Sequence, residues 1–178
     1  MIDRPVDKTA ETQEYIGMAE KMRRSDREIT DQKEIEGFIL RETILRVAFY
    51  DKGEIYIVPV NYGCLMEGGK ILFYFHGACA GRKFELAGAE PSVGFEIDGR
   101  YKLLEGKNVC SFSAEFQSVI GTGRLCLVAD RREKKMGLGA VMRQATGKAE
   151  WDYDDRMLER TAVFRLEVEK MSCKAKLI

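Results

Sequence analysis

The sequence predicts a mainly β fold: six or seven strands closing into a small antiparallel barrel, with two or three short helices at the connections. Three observations carry that prediction. Apolar residues alternate with period two, most clearly in the closing "TAVFRLEVEKM", where Ala162, Phe164, Leu166 and Val168 share one strand face. Glycine-marked turns separate successive strand-like runs, as hairpins require. Those runs also follow one another directly, whereas a doubly wound parallel sheet needs a helix between strands.

The elements follow in order. Residues 1–21 read as a polar extension, part of it helix-compatible through Tyr15 and Met18, and residues 22–178 as one domain. A helix begins at Thr30 as N-cap, with Asp31 in its first turn and an apolar stripe of Ile35, Phe38 and Ile39. The period then becomes two, with Leu45, Val47 and Phe49, a turn at Asp51-Lys52-Gly53, and a second strand running through Ile55 and Ile57 to Val60. The turn "EGGK" leads into "ILFYFHG", apolar enough for a strand covered on both faces. A short helix is expected at "RKFELAGA", stopped by Pro91 before the strand "SVGFEID". Residues 99–108 look like a loop. Two strands follow, "VCSFSA" and the long "FQSVIGTGRLCLVAD", whose two glycines suggest a bulge. Leu138, Val141 and Met142 place a helix at 131–146, ahead of the last strand.

Composition excludes several classes. With 178 residues and 45% apolar content the chain can bury one core. Lys and Arg number 29, as do Asp and Glu, so no net field favours nucleic acid or an anionic membrane, and any anion site is local. No apolar run approaches the roughly 20 residues of a membrane span. The polar N-terminus lacks a signal-peptide core, so a cytoplasmic protein is expected. Five dispersed cysteines without a Cys-x-x-Cys, and a single histidine, point to reduced thiols and to no metal site.

Four stretches could carry chemistry. In "HGACAGRK", Gly77 and Gly81 leave room for a ligand, and Arg82 and Lys83 at a helix start could hold a phosphate; a surface turn with solvated basic residues fits the same pattern. His76, where a strand ends, could face a ligand or be structural. Pro59 within "IVPVNY" marks an edge or an irregularity whose free backbone groups could meet a planar heterocycle, or simply guard the edge. Gln117 and Ser118 offer short polar groups at a strand start. There is no Gly-x-Ser-x-Gly elbow, no Rossmann fingerprint and no P-loop.

In order and spacing, "MRRSDREI", "YIVPVNYG", "ILFYFHGACAGRKFE" with "EPSVGFEID", "FQSVIGTGRL" and "VFRLEVEKMSCKA" resemble the FMN-binding split-barrel proteins related to pyridoxamine 5′-phosphate oxidase. Within them the likeness is to the 5-nitroimidazole-resistance (Nim-type) branch, and it covers roughly residues 22–176. The resemblance implies a six-stranded antiparallel split barrel, dimerising with FMN in the clefts between subunits. It implies that Arg82 and Lys83 hold the FMN phosphate and that Gln117 and Ser118 help. Val58, Pro59, Val60 and Tyr62 would lie on the strand lining the isoalloxazine ring. His76 would stand near that ring to orient a substrate or donate a proton.

The ending "SCK" at Cys173 departs from the branch and leaves Lys174 without an assigned role. No counterpart of the vitamin-B6 substrate residues is present. The expected activity is therefore a flavin-dependent reductase of small organic acceptors, nitroaromatics among them, with NAD(P)H as donor. A flavin carrier or sensor, or a deazaflavin- or haem-binding barrel, is the alternative.

Overall fold

The computed structural model describes residues 17–18 and 22–177. The rest of the expected extension 1–21 lies outside them, and Met18 sits in a two-residue strand, not in a helix. The elements are β1 (Gly17–Met18), β2 (Glu28–Ile29), α1 (Gln32–Arg41), β3 (Ile44–Asp51), β4 (Glu54–Glu67), β5 (Lys70–Ala78), α2 (Arg82–Ala87), β6 (Ser92–Leu104), β7 (Ser113–Leu127), α3 (Arg131–Thr146), α4 (Asp155–Glu159) and β8 (Thr161–Lys176).

The six long strands close on themselves in the order β8-β5-β4-β3-β6-β7, and β7 pairs back onto β8. Every pairing on this circuit is antiparallel. The predicted barrel is therefore present, with β1 and β2 as short additions along β8. Alternation fills its interior with Leu45, Val47, Phe49, Phe73, Phe75, Phe95, Phe164 and Leu166, all buried. Phe75 stacks on Phe164 at 4.9 Å, while Phe73 meets Tyr62 and Phe95 edge-on at 5.3 Å each.

Two helices cap this interior. α1 inserts Ile35, Phe38 and Ile39, the predicted stripe. Its N-cap is Asp31, whose carboxylate accepts from the Glu34 N–H at 2.8 Å, because a carboxylate at that position reaches the free donors of the first turn. Thr30 stands one residue too early. At the other end α2 buries Ala87 and packs Phe84 and Leu86 against the same cluster.

α3 has the predicted bounds and lies outside the barrel, where Val141 packs with Tyr74, Val128 and Val163. Close approach is what its glycines serve: a Cβ on Gly137 would sit 2.5 Å from the Tyr74 ring. Tyr74 and Phe75 are thus buried on opposite faces of β5, as the wholly apolar run required.

Two expectations need correcting. Residues 99–104 are strand, not loop: β6 continues past a register shift between Gly99 and Lys102, with Arg100 at φ 56°. "VCSFSA" is not one strand, since Val109–Ser111 is a 3-10 turn held by Asn108 and Ser111 and β7 begins at Ser113. The bulge expected from Gly121 and Gly123 is present between Thr122 and Gly123 opposite β8. No helix among the described residues is long and apolar enough to cross a membrane.

Candidate functional site

The barrel is split beside Pro59. β4 pairs with β3 from Glu54 to Asn61, but with β5 only from Tyr62 to Glu67. Proline has no N–H to donate, and the ladder to β5 is absent where it sits. A gap therefore opens between residues 57–61 of β4 and residues 76–78 of β5. Those last β5 residues remain paired on their other side, His76 with Val163 and Ala78 with Thr161.

Strand parity decides what faces this gap. Val60 and Tyr62 are buried in the interior, where the Tyr62 hydroxyl donates to the Ile39 carbonyl at 2.5 Å and burial pushes its pKa far up. Val58 packs against the same cluster. Of the expected ring-lining residues, only Pro59 turns its side chain outward, beside exposed Ile57 and Asn61.

The loop after β5 closes over the gap. Gly81, at φ 93°, caps α2 in a conformation that a side chain would strain. Arg82 then swings onto the β3–β4 turn: its Nε donates to Asp51 Oδ2 at 2.9 Å and its Nη2 to Glu54 Oε2 at 3.2 Å. The guanidinium also lies 4.8 Å from the Tyr56 ring centre. These acids hold Arg82 protonated.

Lys83 points the other way. Its half-buried ammonium lies over Phe164 at 5.0 Å and Phe75 at 5.5 Å, and donates to the His76 carbonyl at 3.5 Å. Among the described residues no carboxylate lies within ion-pair distance of it. Burial pulls its pKa down. A Cβ on Gly77 would stand 3.0 Å from Nζ, so the glycine leaves the amine its place. His76 is exposed, and partial burial of its ring, with the nearby Lys83 charge, lowers its pKa. The imidazole is therefore neutral near pH 7.

The remaining pair lies elsewhere. Gln117 is the sole buried polar side chain among the described residues. Its carbonyl accepts from Arg41 Nη2 at 3.4 Å and its amide reaches Cys173 Sγ at 4.0 Å. Ser118 faces outward, directly across from Lys174, whose ammonium sits 5.7 Å from the Phe116 ring. Lys174 has no role assignable from its sequence position, and only the register brings it beside Ser118.

β8 measures the separation. Ala78, before the Arg82–Lys83 loop, pairs with Thr161 at one end of β8, and Ser118 pairs with Lys174 near the other. That is roughly 40 Å of strand contour. The structure thus brings Lys83 to His76 at the end of β5, holds Arg82 on the β3–β4 turn and leaves Pro59 on the β4 segment unpaired with β5, and it does not bring Gln117 or Ser118 to them.

A closed six-stranded antiparallel barrel, split beside a proline and with basic side chains near both ends of one strand, defines the class: a split-barrel protein. The family model described as pyridoxamine 5′-phosphate oxidase matches residues 31–175, and the chain belongs to that family. A Bacteroides thetaiotaomicron protein provisionally assigned to 5-nitroimidazole antibiotic resistance is similar over 83% of this chain and 86% of its own, at 27% identity and TM-score 0.71. The flavocytochrome Anf3 of Azotobacter vinelandii shares the fold at 21% identity and TM-score 0.73, over 89% and 73% of the two chains. So does the FAD- and haem-binding protein of Mycobacterium smegmatis, at 14% and 0.74, over 84% and 73%. No curated protein matches.

Proposed function

We propose that this chain, with residues 22–178 as one domain and 1–21 as an extension, is an FMN-binding oxidoreductase that works as a homodimer. The single observation that carries the reading is the Lys83 ammonium, half-buried beside the split with no carboxylate partner among the described residues. A buried charge without a counterion is costly, and a phosphate dianion at the gap relieves that cost. The residues therefore fit the cofactor the family implies. Lys83 and Arg82 would hold the phosphate from one subunit, with Arg82 exchanging part of its Asp51 and Glu54 pairing for it. The backbone of 58–61, free of β5, would lie along the ring.

Ser118 would serve the same cofactor only from a second copy, because it sits at the far end of β8, and Lys174 beside it adds a second cation. Gln117 acts from inside, holding Arg41 at that end. When bound, FMN supplies the two-electron chemistry. His76, neutral near pH 7, orients an acceptor or exchanges a proton at a ring nitrogen. Small organic acceptors, including nitroaromatics as suggested by the 27%-identical Bacteroides structure, are the proposed substrates and NAD(P)H the donor. Five unbridged cysteines fit a cytoplasmic setting.

Titrating FMN into the protein while following flavin fluorescence tests the reading. Quenching at one FMN per chain, lost in Arg82→Ala/Lys83→Ala, is expected. A protein that ignores FMN would overturn it. Anaerobic mixing with NADPH then separates reductase from carrier, since rapid bleaching at 450 nm marks the former. For His76→Ala, flavin is retained while turnover falls.

A further inference from the structure

Outside the barrel, a cavity of about 80 Å³ opens on the outer face of β7 and β8, lined by Glu90, Arg124, Cys126, Arg165 and Glu167. The register puts Arg124 directly across from Glu167, and Cys126 across from Arg165. Opposite charges facing each other across a ladder attract, yet Glu167 turns away to Lys70 of β5 at 2.5 Å. Arg165 is likewise drawn to Glu133 of α3 at 2.6 Å. The cavity is the space between these diverging pairs. Arg124 is left with the Glu90 carbonyl, to which its Nη1 donates at 3.3 Å. Among the described residues neither the Arg124 guanidinium nor the Glu90 carboxylate has an ion-pair partner, and the two do not pair with each other. Glu90 itself stands at φ 48°, uncommon for a residue with a side chain. Arg165 Nε is buried without a hydrogen-bond partner, the sole such side-chain atom among the described residues, and a buried donor calls for an acceptor.

We propose that this cavity binds a small zwitterion, a free α-amino acid with a short side chain, its carboxylate on Arg124 and Arg165 and its ammonium on Glu90. Guanidinium groups offer a carboxylate forked donors. A simple oxyanion would suit the arginines but bring like charge beside Glu90, and a simple amine would do the reverse. A ligand with both signs a few bonds apart uses both unpaired groups, and its net charge of zero matches a lining of two acids and two bases. Size agrees as well. One water needs roughly 10–15 Å³ of such space, so about 80 Å³ takes a ligand of several heavy atoms. Cys126 is the sole uncharged lining residue, which leaves a long apolar side chain nothing to pack on. The site stands apart from the split: Arg165 and Glu167 lie on the outer face of β8, whereas Phe164, under Lys83, points into the interior.

Calorimetric titration of L-alanine into the full chain tests this. Binding at one alanine per chain is expected, with acetate alone and ethylamine alone at least about tenfold weaker. Arg124→Gln and Glu90→Gln should each raise the alanine dissociation constant on the order of tenfold, with far-UV circular dichroism unchanged because both residues are exposed. Lys83→Met should leave alanine binding as it is, so this site and the flavin site stand or fall separately. Saturating alanine should also slow alkylation of half-buried Cys126 by iodoacetamide, read by peptide mass spectrometry, and leave exposed Cys110 unprotected. No heat with alanine, glycine or serine, together with no protection of Cys126, overturns the proposal. Acetate binding as tightly as alanine, or alanine binding that neither variant weakens, overturns it equally.

Discussion

The two ends of β8 are built differently. At the Thr161 end nearly every group is engaged before a ligand arrives: Arg82 is held by Asp51, Glu54 and the Tyr56 ring, and Lys83 is fixed over two stacked phenylalanines. At the Lys174 end Ser118 and Lys174 are direct cross-strand partners that face outward. On the proposed reading the first end would be a preorganised anion grip, and the second would take its shape from a second copy. Preorganisation concentrates binding free energy where side chains are already immobilised, so the first end should dominate affinity and the second should make it depend on assembly.

The largest effect is expected where the grip merges with the core. Phe164 is fully buried, stacks on Phe75 and carries Lys83. Phe164→Ala should cost about 3–5 kcal/mol of stability, read from urea unfolding, and should weaken flavin binding as well. Lys83→Met comes next and separates those two effects. Losing a charge-assisted contact to phosphate should raise the FMN dissociation constant on the order of 100-fold, while unfolding stability holds or rises because an unpaired half-buried ammonium is gone. An equal loss in both would mean that Lys83 is merely structural. At the other end Lys174→Met should raise the dissociation constant only about tenfold, and the deficit should shrink as protein concentration rises. A deficit independent of concentration would break the comparison between the ends.

How much of this was legible before the fold depends on which signal each feature used. α1, α3 and the first hairpin follow from local periodicity; the α1 stripe, Val141 of α3 and Leu45, Val47 and Phe49 of β3 are buried as read, whereas Ile55 and Ile57 of β4 are exposed. Pro59 announced an interrupted ladder because the missing N–H is a property of the residue itself. What escaped depends on register. Val58, Val60 and Tyr62 share a strand with Pro59 but point inward, and parity cannot be assigned to a side of the barrel until its closure is known. The same holds for Gln117 against Ser118, and for Lys174, which meets Ser118 only across the β7–β8 ladder. β6 beyond Gly99 is not legible as strand because its bulge interrupts the alternation just where Arg100 takes a positive φ. α4, capped by Asp154, is one turn long and too short for periodicity to show.

The smallest effect concerns His76, and its sign follows from the same crowding that defines the grip. Partial burial and the Lys83 charge lower its pKa below the ordinary 6.5. Between that lowered value and 6.5 the unfolded chain binds the proton more readily than the folded one, so stability rises with pH across the window and falls as pH drops through it. Other groups titrate nearby in acid, Asp26 among them, held at about 2 by Arg24, but they are common to any His76 variant. The difference between wild type and His76→Gln therefore isolates the imidazole. Urea midpoints at pH 7 and pH 5 should show a smaller drop for His76→Gln than for wild type. Lys83→Met should shrink the wild-type drop only in part, because burial, the larger cause, remains. If His76→Gln leaves the drop unchanged, the ring is more solvated than this end of β8 implies, and its neutrality near pH 7 would rest on its ordinary pKa alone.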